Sequence, residues 1–573
     1  MGGPTTDVPP VMTWQPGPFV LVCSALLLRC MVSLWPYSGQ GDDPIYGDYE
    51  AQRHWMEITN ALPLHQWYRF DLEYWGLDYP PLTAYVSWAC GQLSRVVEPA
   101  SMTLGLSRGY ETSSHKAFMR LTVLVLDLAI FFPAAAALAS RLSRHRRSWD
   151  AAASGTLAMV LLQPSLVLVD HGHFQYNSVC LGLAMAAAAA VAGGQHRGEL
   201  LGSVLFSLSL NFKQMSLYYA PAFFFFLLAS CILRGGGGND CGKEAGGPRR
   251  ITALARWVGV LQRVLGLGLV VVLTFGAMWG PFCAFPGVDD GGGCLSSLGQ
   301  ASVARRLFPF SRGLFEDKVA NLWFCADVVF KLRRRLAVPQ LAKLALASTL
   351  SFLVPVGADL LRPSRPLTAR RLVLALFNSS MAFFLCSFQV HEKSLLLPLC
   401  PLAFLWGDAP LFTTWLQVIG VFSMKPLLAR EGLLVPCFAC TVLYLGASLG
   451  LAMVLPPRAA VGPGSSSTAF PHGSRLAQGR LRAVVALSAA GAVLLLALEA
   501  TVPPPAGLPF LHPTLNALYS CANFTAAYGV GVYWQWQEGN RGAGVVEVGA
   551  GVVERGGDTE KGPPRETETK KRR

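Results

Sequence analysis

A group of acidic and basic side chains lies in residues 47 to 59, GDYEAQRHWMEIT, of a chain in which only 14% of residues are charged. The spacing predicts an amphipathic helix at a membrane surface, with one apolar face and a polar face that carries Glu50, Arg53, His54 and Glu57. Asp48 stands at the position of an N-cap. Solvated ion pairs on the polar face would explain these residues without catalysis, but a carboxylate such as Asp48 is also a typical general base.

A second acidic residue lies in YWGLDYPPLTAY, residues 74 to 85, where aromatic side chains and two prolines surround Asp78. Pro80 restricts the residue before it, so Tyr79 is expected to be extended and the backbone around Asp78 stiff. Sugars stack their C–H faces on aromatic rings and hydrogen-bond to carboxylates, so the segment suits sugar binding. An aromatic belt at the membrane interface is the alternative.

Four later stretches also interrupt the apolar background with polar groups: DHGHFQYN (170–177), NFKQ (211–214), RLFPFSRGLFEDK (306–318) and FQVHEKS (388–394). Ionisable groups near membrane depth are costly, so a set of them on one side indicates a functional site. Asp170, His171 and His173 are candidate ligands for a metal ion. Ordinary interfacial hydrogen bonding is favoured, because a lone His-x-His pair occurs often without a metal.

The elements that must position these residues are membrane helices. The 573 residues are 52% hydrophobic, and apolar runs near twenty residues recur along the chain. This pattern predicts an all-α polytopic membrane protein with about fourteen spans. Examples of the runs are 18–36, which we expect to be retained rather than cleaved as a signal peptide, 118–140, 251–280, 371–389 and 481–500. The net charge of +13 lies in short loops, which indicates the positive-inside rule rather than nucleic-acid binding.

Loop charge predicts the orientation of the chain. RLSRHRRS (141–148) is expected in the cytosol, and the long polar stretch 37–115 on the other side with the four polar stretches. The basic segments 331–335 and 362–371 enclose one obvious span, and a helix broken at Pro355 would let both be cytosolic. Most of the fourteen cysteines suit buried apolar positions, whereas Cys283 and Cys294 flank a Gly-rich loop where a disulfide is an open alternative.

The chain divides into four expected parts. Residues 1–455 form a transmembrane catalytic core with outer loops 37–115 and 281–318, and 481–536 form C-terminal transmembrane helices. Residues 456–480 are expected to be a flexible linker and 537–573 a disordered cytosolic tail, because neither can bury enough apolar surface. The terminal KKRR is similar to a dilysine retrieval signal of endoplasmic reticulum proteins, although a solvated basic run is the alternative. No Walker A or GxGxxG loop is present, which argues against ATP-driven function.

Seven stretches together carry a family resemblance. GDYEAQRHWMEIT, YWGLDYPPLTAY, SRGYE, DHGHFQYNS, NFKQMSLYY, RLFPFSRGLFEDKVANLW and FQVHEKS resemble the dolichyl-phosphate-glucose dependent α-1,3-glucosyltransferases of asparagine-linked glycosylation. The matches run in the same order from about residue 44 to 400. EAQRHWMEIT and WGLDYPP resemble the branch that adds the first glucose to the nine-mannose lipid-linked oligosaccharide; the sibling branch that adds the second glucose is the alternative.

This resemblance implies a multi-helix fold of the GT-C type, with helices in lumenal loops, a lumenal active site in the endoplasmic reticulum membrane, and neither metal nor other cofactor. It implies that the β-linked glucose of dolichyl phosphate becomes α-1,3-linked to a terminal mannose, with inversion. Such a reaction needs one carboxylate base, and the matching residue is Asp48. Partial burial beside other acids would raise its pKa towards neutrality.

The remaining roles also follow from the resemblance. The implied partners are dolichyl phosphate glucose, a dolichyl-pyrophosphate oligomannose acceptor and membrane lipid, without nucleic acid. A polytopic lipid or sugar transporter is the alternative from another class, and an inactive scaffold is a third; polar groups gathered in loops on one side favour the enzyme. The residues expected to bind the donor phosphate are Arg312, His391, Lys393 and Lys213, and those expected to bind substrate are Asp78, Arg53, Glu316 and Tyr79.

Overall fold

The computed structural model of the chain describes residues 17–143, 151–235, 252–284, 307, 318–455 and 475–550. This part of the chain is helical and contains no strand, as expected from the sequence. Its first half contains α1 (Pro18–Ser33), α2 (Asp48–Ala61), α3 (Pro81–Val97), α4 (Ser113–Leu126), α5 (Phe132–Leu142), α6 (Ala151–Leu161), α7 (Pro164–Val167), α8 (Asn177–Val191), α9 (His196–Phe212), α10 (Ala220–Arg234) and α11 (Ala253–Ala284).

Shorter turns complete several of these elements. Two π-helical turns, Asp127–Phe131 and Leu168–Phe174, continue α4 and α7. Four 3-10 turns cover Leu64–Gln66, Pro99–Met102, Gln214–Tyr219 and Glu392–Leu395. The second half of the chain contains α12 (Leu322–Phe330), α13 (Leu332–Arg335), α14 (Val338–Leu360), α15 (Ala369–Cys386), α16 (Leu396–Ala403), α17 (Pro410–Arg430), α18 (Leu434–Val454), α19 (Arg475–Thr501) and α20 (Leu511–Ala550).

Nine stretches of the described residues are long and apolar enough to cross a membrane. Four of the five runs named from the sequence correspond to such stretches, with ends that differ by at most five residues. The fifth run, 18–36, corresponds to the shorter apolar helix Phe19–Ser33. A second shorter one is Asn177–Val191. The nine are Ser113–Leu142, Ala153–Phe174, Gln214–Arg234, Ala253–Ala284, Val338–Leu360, Ala369–Cys386, Pro410–Arg430, Leu434–Val454 and Gln478–Thr501.

The helices run between two faces of the molecule. The site face is where Asp48 contacts His173 and Lys393, and the opposite face holds the ion pair between Arg370 and Asp408. The nine long and two shorter apolar helices found in the described residues are fewer than the roughly fourteen spans expected for the whole chain.

The expected break at Pro355 is wrong, because α14 continues through it from Val338 to Leu360. Side chains of α20 stabilise this stretch. The Tyr528 hydroxyl donates to the Phe352 carbonyl, in the turn that Pro355 disturbs, and Gln535 and Trp536 donate to the carbonyls of Val356 and Pro355. A neighbouring helix that supplies donors makes a proline tolerable in a membrane helix. Because α14 is unbroken and α15 returns from its far end, the basic segment 331–335 lies on the site face rather than beside 362–371.

The expected disorder is also wrong for residues 537–550, which continue α20 as far as Ala550. Glu538 and Asn540 contact Arg370 and Arg365 on the opposite face, so these polar groups hold the helix end against its neighbours. Residues 475–480 of the expected linker likewise begin α19. Residues 456–474 and 551–573 lie outside the described part of the chain.

The helix predicted for GDYEAQRHWMEIT is present as α2, but the polar face expected to be solvated is buried. Eleven of its fourteen residues are buried, including the whole polar face. Arg53 is fully buried, pairs with Glu50 at 2.6 Å and Glu57 at 2.7 Å, and donates to the Ser101 carbonyl at 2.7 Å. Burial raises the pKa of Glu57, but a hydrogen bond from His54 and the Arg53 charge lower it to about 2. The ion pairs are therefore internal supports of the outer loop.

Eight of the eleven free cysteines in the described residues are buried, as expected for small apolar residues, whereas Cys23 and Cys30 are exposed. Cys437 and Cys440 are free and buried between helices. Cys283, at the end of α11, is disulfide-bonded. The partner considered from the sequence, Cys294, lies outside the described residues.

Candidate active site

Asp48 is the first residue of α2, and the N-cap is Gly47, without a capping side chain. The expected capping role of Asp48 is therefore wrong. The backbone passes so close to the preceding loop that a Cβ at Gly47 would lie 2.5 Å from the Ser38 carbonyl, so a larger residue would displace the helix start. Because the Asp48 side chain does not cap α2, it is able to contact His173 and Lys393 at the site face.

One oxygen of the Asp48 carboxylate accepts three hydrogen bonds. Oδ2 receives them from His173 Nε2 at 2.7 Å, Gln175 Nε2 at 2.5 Å and Lys393 Nζ at 2.5 Å. Oδ1 has no partner among the described residues, and the side chain is 21% exposed. The carboxylate is therefore fixed through one oxygen, while the other is free to receive a proton.

The cations around Asp48 control its acidity. Burial raises the pKa of the Asp48 carboxyl, but the Lys393 ammonium and His173 together hold it well below its usual range. The expectation of a raised pKa is wrong, because bases rather than other acids contact the Asp48 carboxylate. For Lys393, burial lowers the pKa, yet the Asp48 charge raises it above the ordinary value.

A second cation lies behind Gln175. Lys213 is buried, and its Nζ donates to Gln175 Oε1 at 3.0 Å and to Asn177 Oδ1 at 2.7 Å. The ammonium also lies 4.9 Å from the centroid of the Tyr79 ring. Burial lowers the pKa of Lys213. Gln175 thus connects Lys213 with Asp48 and places two cations near one carboxylate.

The π-helical turn Leu168–Phe174 aims His173 at Asp48. Phe174, which ends it, has a φ of 88°, a left-handed conformation that a bulky residue adopts only when its surroundings enforce it. Its ring is fully buried, and its centroid lies 4.9 Å from the centroid of the Tyr49 ring on α2. Arg120 adds a hydrogen bond to the Gly172 carbonyl at 2.7 Å. Packing and hydrogen bonding therefore fix the strained turn.

The two histidines of DHGHF do not converge on one point. His171 Nε2 lies 3.0 Å from Asp127 Oδ2, inside the helix bundle, whereas His173 faces Asp48. Asp170 accepts hydrogen bonds from Asn177 and the Ser178 backbone at the start of α8. No group of three or more side chains suited to a metal ion is found in the described residues. Hydrogen bonding accounts for the motif.

Four of the expected site residues come together here: Asp48, Lys213, Lys393 and Tyr79. Asp78 adjoins Tyr79, and its carbonyl accepts a hydrogen bond from Gln214. Arg53 is not brought to this cluster, because all its contacts are within the buried network of the outer loop. His391 is exposed, two residues before Lys393. The other expected donor and substrate ligands, Arg312 and Glu316, lie outside the described residues.

Three residues that contact Asp48 or its partners were not predicted in that role. For His173 the sequence predicts interfacial hydrogen bonding, with a metal site as the alternative, and Gln175 is only part of a polar stretch. Glu431, whose carboxylate lies 2.6 Å from His173 Nδ1, lies in a segment with no recognisable motif. Its only sequence signal is an acidic residue between two apolar runs, which charge alone does not distinguish from a solvated loop.

Comparison with known proteins places this geometry in a family. Residues 25–530 match the model of the ALG6, ALG8 glycosyltransferase family. The chain belongs to the ALG6, ALG8 glycosyltransferase family. It is therefore a glycosyltransferase with the polytopic GT-C architecture of that family, as the sequence resemblance implied. The match includes α2, the π-helical turn, Lys393 and Glu431, so the site lies inside the region that defines the family.

Individual relatives agree with the ALG6, ALG8 family assignment. The chain is 42% identical to a probable dolichyl pyrophosphate Man9GlcNAc2 α-1,3-glucosyltransferase of Dictyostelium discoideum, over 74% of this chain and 76% of the relative. It is 38% identical to the protein of that name from Gallus gallus, over 88% of this chain and 94% of the relative. The Saccharomyces cerevisiae protein is also 38% identical, over 73% and 72% respectively.

Proposed function

We propose that this enzyme transfers glucose from dolichyl phosphate glucose to a terminal mannose of dolichyl-pyrophosphate-linked Man9GlcNAc2. The linkage formed is α-1,3, with inversion, and the glucose is the first one added. The names of the relatives support the acceptor and the linkage. The observation that carries the mechanism is Asp48, fixed through Oδ2 with Oδ1 open, beside the Lys393 ammonium.

The proposed reaction is a single displacement. Asp48 Oδ1 takes the proton of the mannose hydroxyl as its oxygen attacks the anomeric carbon of glucose. The new glycosidic C–O bond forms while the bond from that carbon to the phosphate oxygen breaks, and dolichyl phosphate leaves with the electron pair. Attack opposite the leaving group turns the β-linkage of the donor into an α-linkage. Hydrogen bonds to Oδ2 orient the carboxylate throughout.

Lys393 has a double role in this proposal. The donor phosphate competes with Asp48 for the ammonium, and movement of Lys393 towards the phosphate stabilises the charge that develops on the leaving group. The same movement removes the strongest cation from Asp48, so the carboxylate becomes a better base when the donor is bound. Lys213 supplies a second positive charge to the site. Donor binding thus prepares the base.

The acceptor side of the proposal depends on Asp78 and Tyr79. They lie next to Lys213 and the Asp48 cluster, so the ring can stack on a sugar and the carboxylate can bind hydroxyl groups. Arg312, Glu316 and His391 keep their expected roles in binding donor and acceptor. No metal or other cofactor takes part.

The deciding experiment supplies purified enzyme in nanodiscs with dolichyl phosphate glucose and Man9GlcNAc2-pyrophosphate-dolichol. We expect the acceptor to gain one hexose in α-1,3 linkage, and we expect no product from UDP-glucose. An acceptor that already carries one glucose should not react, which distinguishes the first from the second addition. Product from the monoglucosylated acceptor alone would overturn the first-glucose assignment. Inhibition by a chelator, reversed by a divalent ion, would overturn the metal-free mechanism.

For location, we propose the endoplasmic reticulum membrane, with the site face in the lumen and the C-terminus in the cytosol. A glycosylation tag inserted after the exposed Leu106 of the outer loop is expected to be modified in cells. A tag after Gln195, in the exposed turn between α8 and α9 on the opposite face, should remain unmodified. Neither native sequon should interfere, because Asn378 is fully buried in α15 and Asn523 lies within α20. The reverse pattern of modification would reject this orientation.

A further inference from the structure

Glu431 lies directly behind His173 as seen from Asp48. His173 Nδ1 is 2.6 Å from Glu431 Oε1 and 2.7 Å from Oε2, while Nε2 is 2.7 Å from Asp48 Oδ2. The side chain of His173 is 2% exposed and that of Glu431 9%. The imidazole therefore lies between two carboxylates, with each ring nitrogen facing one of them.

The end of α17 fixes the position of Glu431. Leu433 N donates to Leu428 O at 2.9 Å, Gly432 N donates to Ala429 O at 3.2 Å, and Gly432 has a φ of 70°. These two bonds and the left-handed glycine form a Schellman motif in which Glu431 is the C-cap residue. Because the helix terminates in this way, the Glu431 backbone is held at the site face and its side chain reaches inward.

The charges that face His173 come from four elements. Asp48 approaches from α2 and Glu431 from the end of α17. Lys393 Nζ, from the 3-10 turn before α16, lies 3.0 Å from Nε2. Arg120 on α4 donates to the Gly172 carbonyl next to His173. With two carboxylates in direct contact, the doubly protonated imidazole makes both hydrogen bonds as donor, whereas either neutral tautomer loses one.

We propose that Glu431 is a positioning residue that acts through His173, holding the imidazolium ring against Asp48 Oδ2 so that Oδ1 stays directed at the acceptor hydroxyl. This inference rests on the proposed function, in which Asp48 is the base and Lys393 moves to the donor phosphate. When Lys393 moves, His173 and Gln175 are the remaining donors to Oδ2 in the described residues. Of these two, only His173 is charged, and Glu431 holds it in place through the hydrogen bond to Nδ1.

The test is Glu431→Gln, which keeps the size of the side chain and a hydrogen bond but removes the charge. We expect kcat to fall about 10- to 100-fold, because misplacement of a reacting group by a small distance has effects of this size. KM for the donor should stay within about twofold. The alkaline limb of kcat should move to lower pH, since the imidazolium loses the carboxylate that stabilises it. Glu431→Asp keeps the charge, so its alkaline limb of kcat should lie at the wild-type pH.

A double-mutant cycle with His173→Asn shows whether Glu431 acts through His173. Groups that act as one unit give non-additive effects. Glu431→Gln should therefore cause little further loss of kcat in the His173→Asn background. A merely structural role would give the same loss in both backgrounds. Glu499→Gln is the matched control, because it also removes a carboxylate paired with α17, at Lys425, and should leave the pH profile unchanged.

Two results would overturn the inference while leaving the proposed function intact. One is an active wild-type enzyme whose Glu431→Gln variant has the same kcat and the same alkaline limb. The other is a loss of kcat that is fully additive with His173→Asn. By contrast, wild-type enzyme that forms no product from dolichyl phosphate glucose would reject the proposed function itself.

Discussion

Asp48→Asn is expected to lower kcat by about 10³- to 10⁴-fold, near the upper limit for removal of a general base. The amide oxygen cannot take the proton of the acceptor hydroxyl, and the substitution keeps the size of the side chain at the start of α2. Donor binding should persist, because asparagine leaves Lys393 free for the phosphate. The measurement is the steady-state rate at saturating donor and acceptor, with KM for each substrate.

Asp71→Asn is the matched control for this variant. Asp71 is also an acid of the outer loop, but it faces Arg108 and His54 rather than the Asp48 cluster. Its φ of 50° is one that asparagine adopts readily, so the backbone should be unaffected. We expect turnover within a few-fold of wild type. Near-normal turnover in Asp48→Asn would instead remove Asp48 from the role of base, and loss of donor binding there would make it a partner of Lys393 alone.

The membrane architecture was predictable because hydrocarbon thickness imposes helix length directly on the sequence. A run such as 371–389 needs only its own residues to specify a span, and α15 occupies Ala369–Cys386. The error at Pro355 has a different origin. Whether a proline breaks a membrane helix depends on donors from its neighbours, and Gln535 and Trp536 lie far away in the sequence.

The burial of the polar face of α2 shows a limit of periodicity. A polar face predicts that the face is not in lipid, but water and a polar protein interior satisfy that condition equally. Here the loop around Ser101 and Ser107 covers Arg53 and supplies acceptors for its guanidinium. Buried ion pairs of this kind need partners from a distant segment, and the pattern within one helix contains no information about them.

The candidate site was predictable where its residues lie in polar stretches that interrupt apolar runs. Asp48, Lys213 and Lys393 satisfy that description, and the fold brings them together around Gln175. Glu431 does not satisfy it, because a single acid between two apolar runs resembles any loop residue. Its contact with His173 joins positions 258 residues apart and arises from the way α17 ends beside the π-helical turn. The local sequence around Gly432 determines where α17 ends, but it contains no information that this end lies beside His173.

Lys393→Met is expected to have the second largest effect, through two separable consequences. Loss of the ammonium removes charge stabilisation of the departing phosphate, which should lower kcat by about 10²- to 10³-fold. It also removes the strongest cation that lowers the pKa of Asp48. The pKa of the base should therefore rise. Because a base is active only when ionised, the acid limb of kcat/KM should move to higher pH, and activity should be lost earlier as the pH falls.

Lys393→Arg and Lys425→Met separate these consequences from a general loss of charge. Arginine keeps the cation, so the acid limb should stay low even where kcat falls through changed geometry. Lys425 pairs with Glu499 away from Asp48, so Lys425→Met should change neither kcat nor the acid limb of kcat/KM. A Lys393→Met enzyme with lower kcat but an unmoved acid limb would show that Lys393 serves the phosphate alone. The low pKa of Asp48 would then depend on His173, and through it on Glu431.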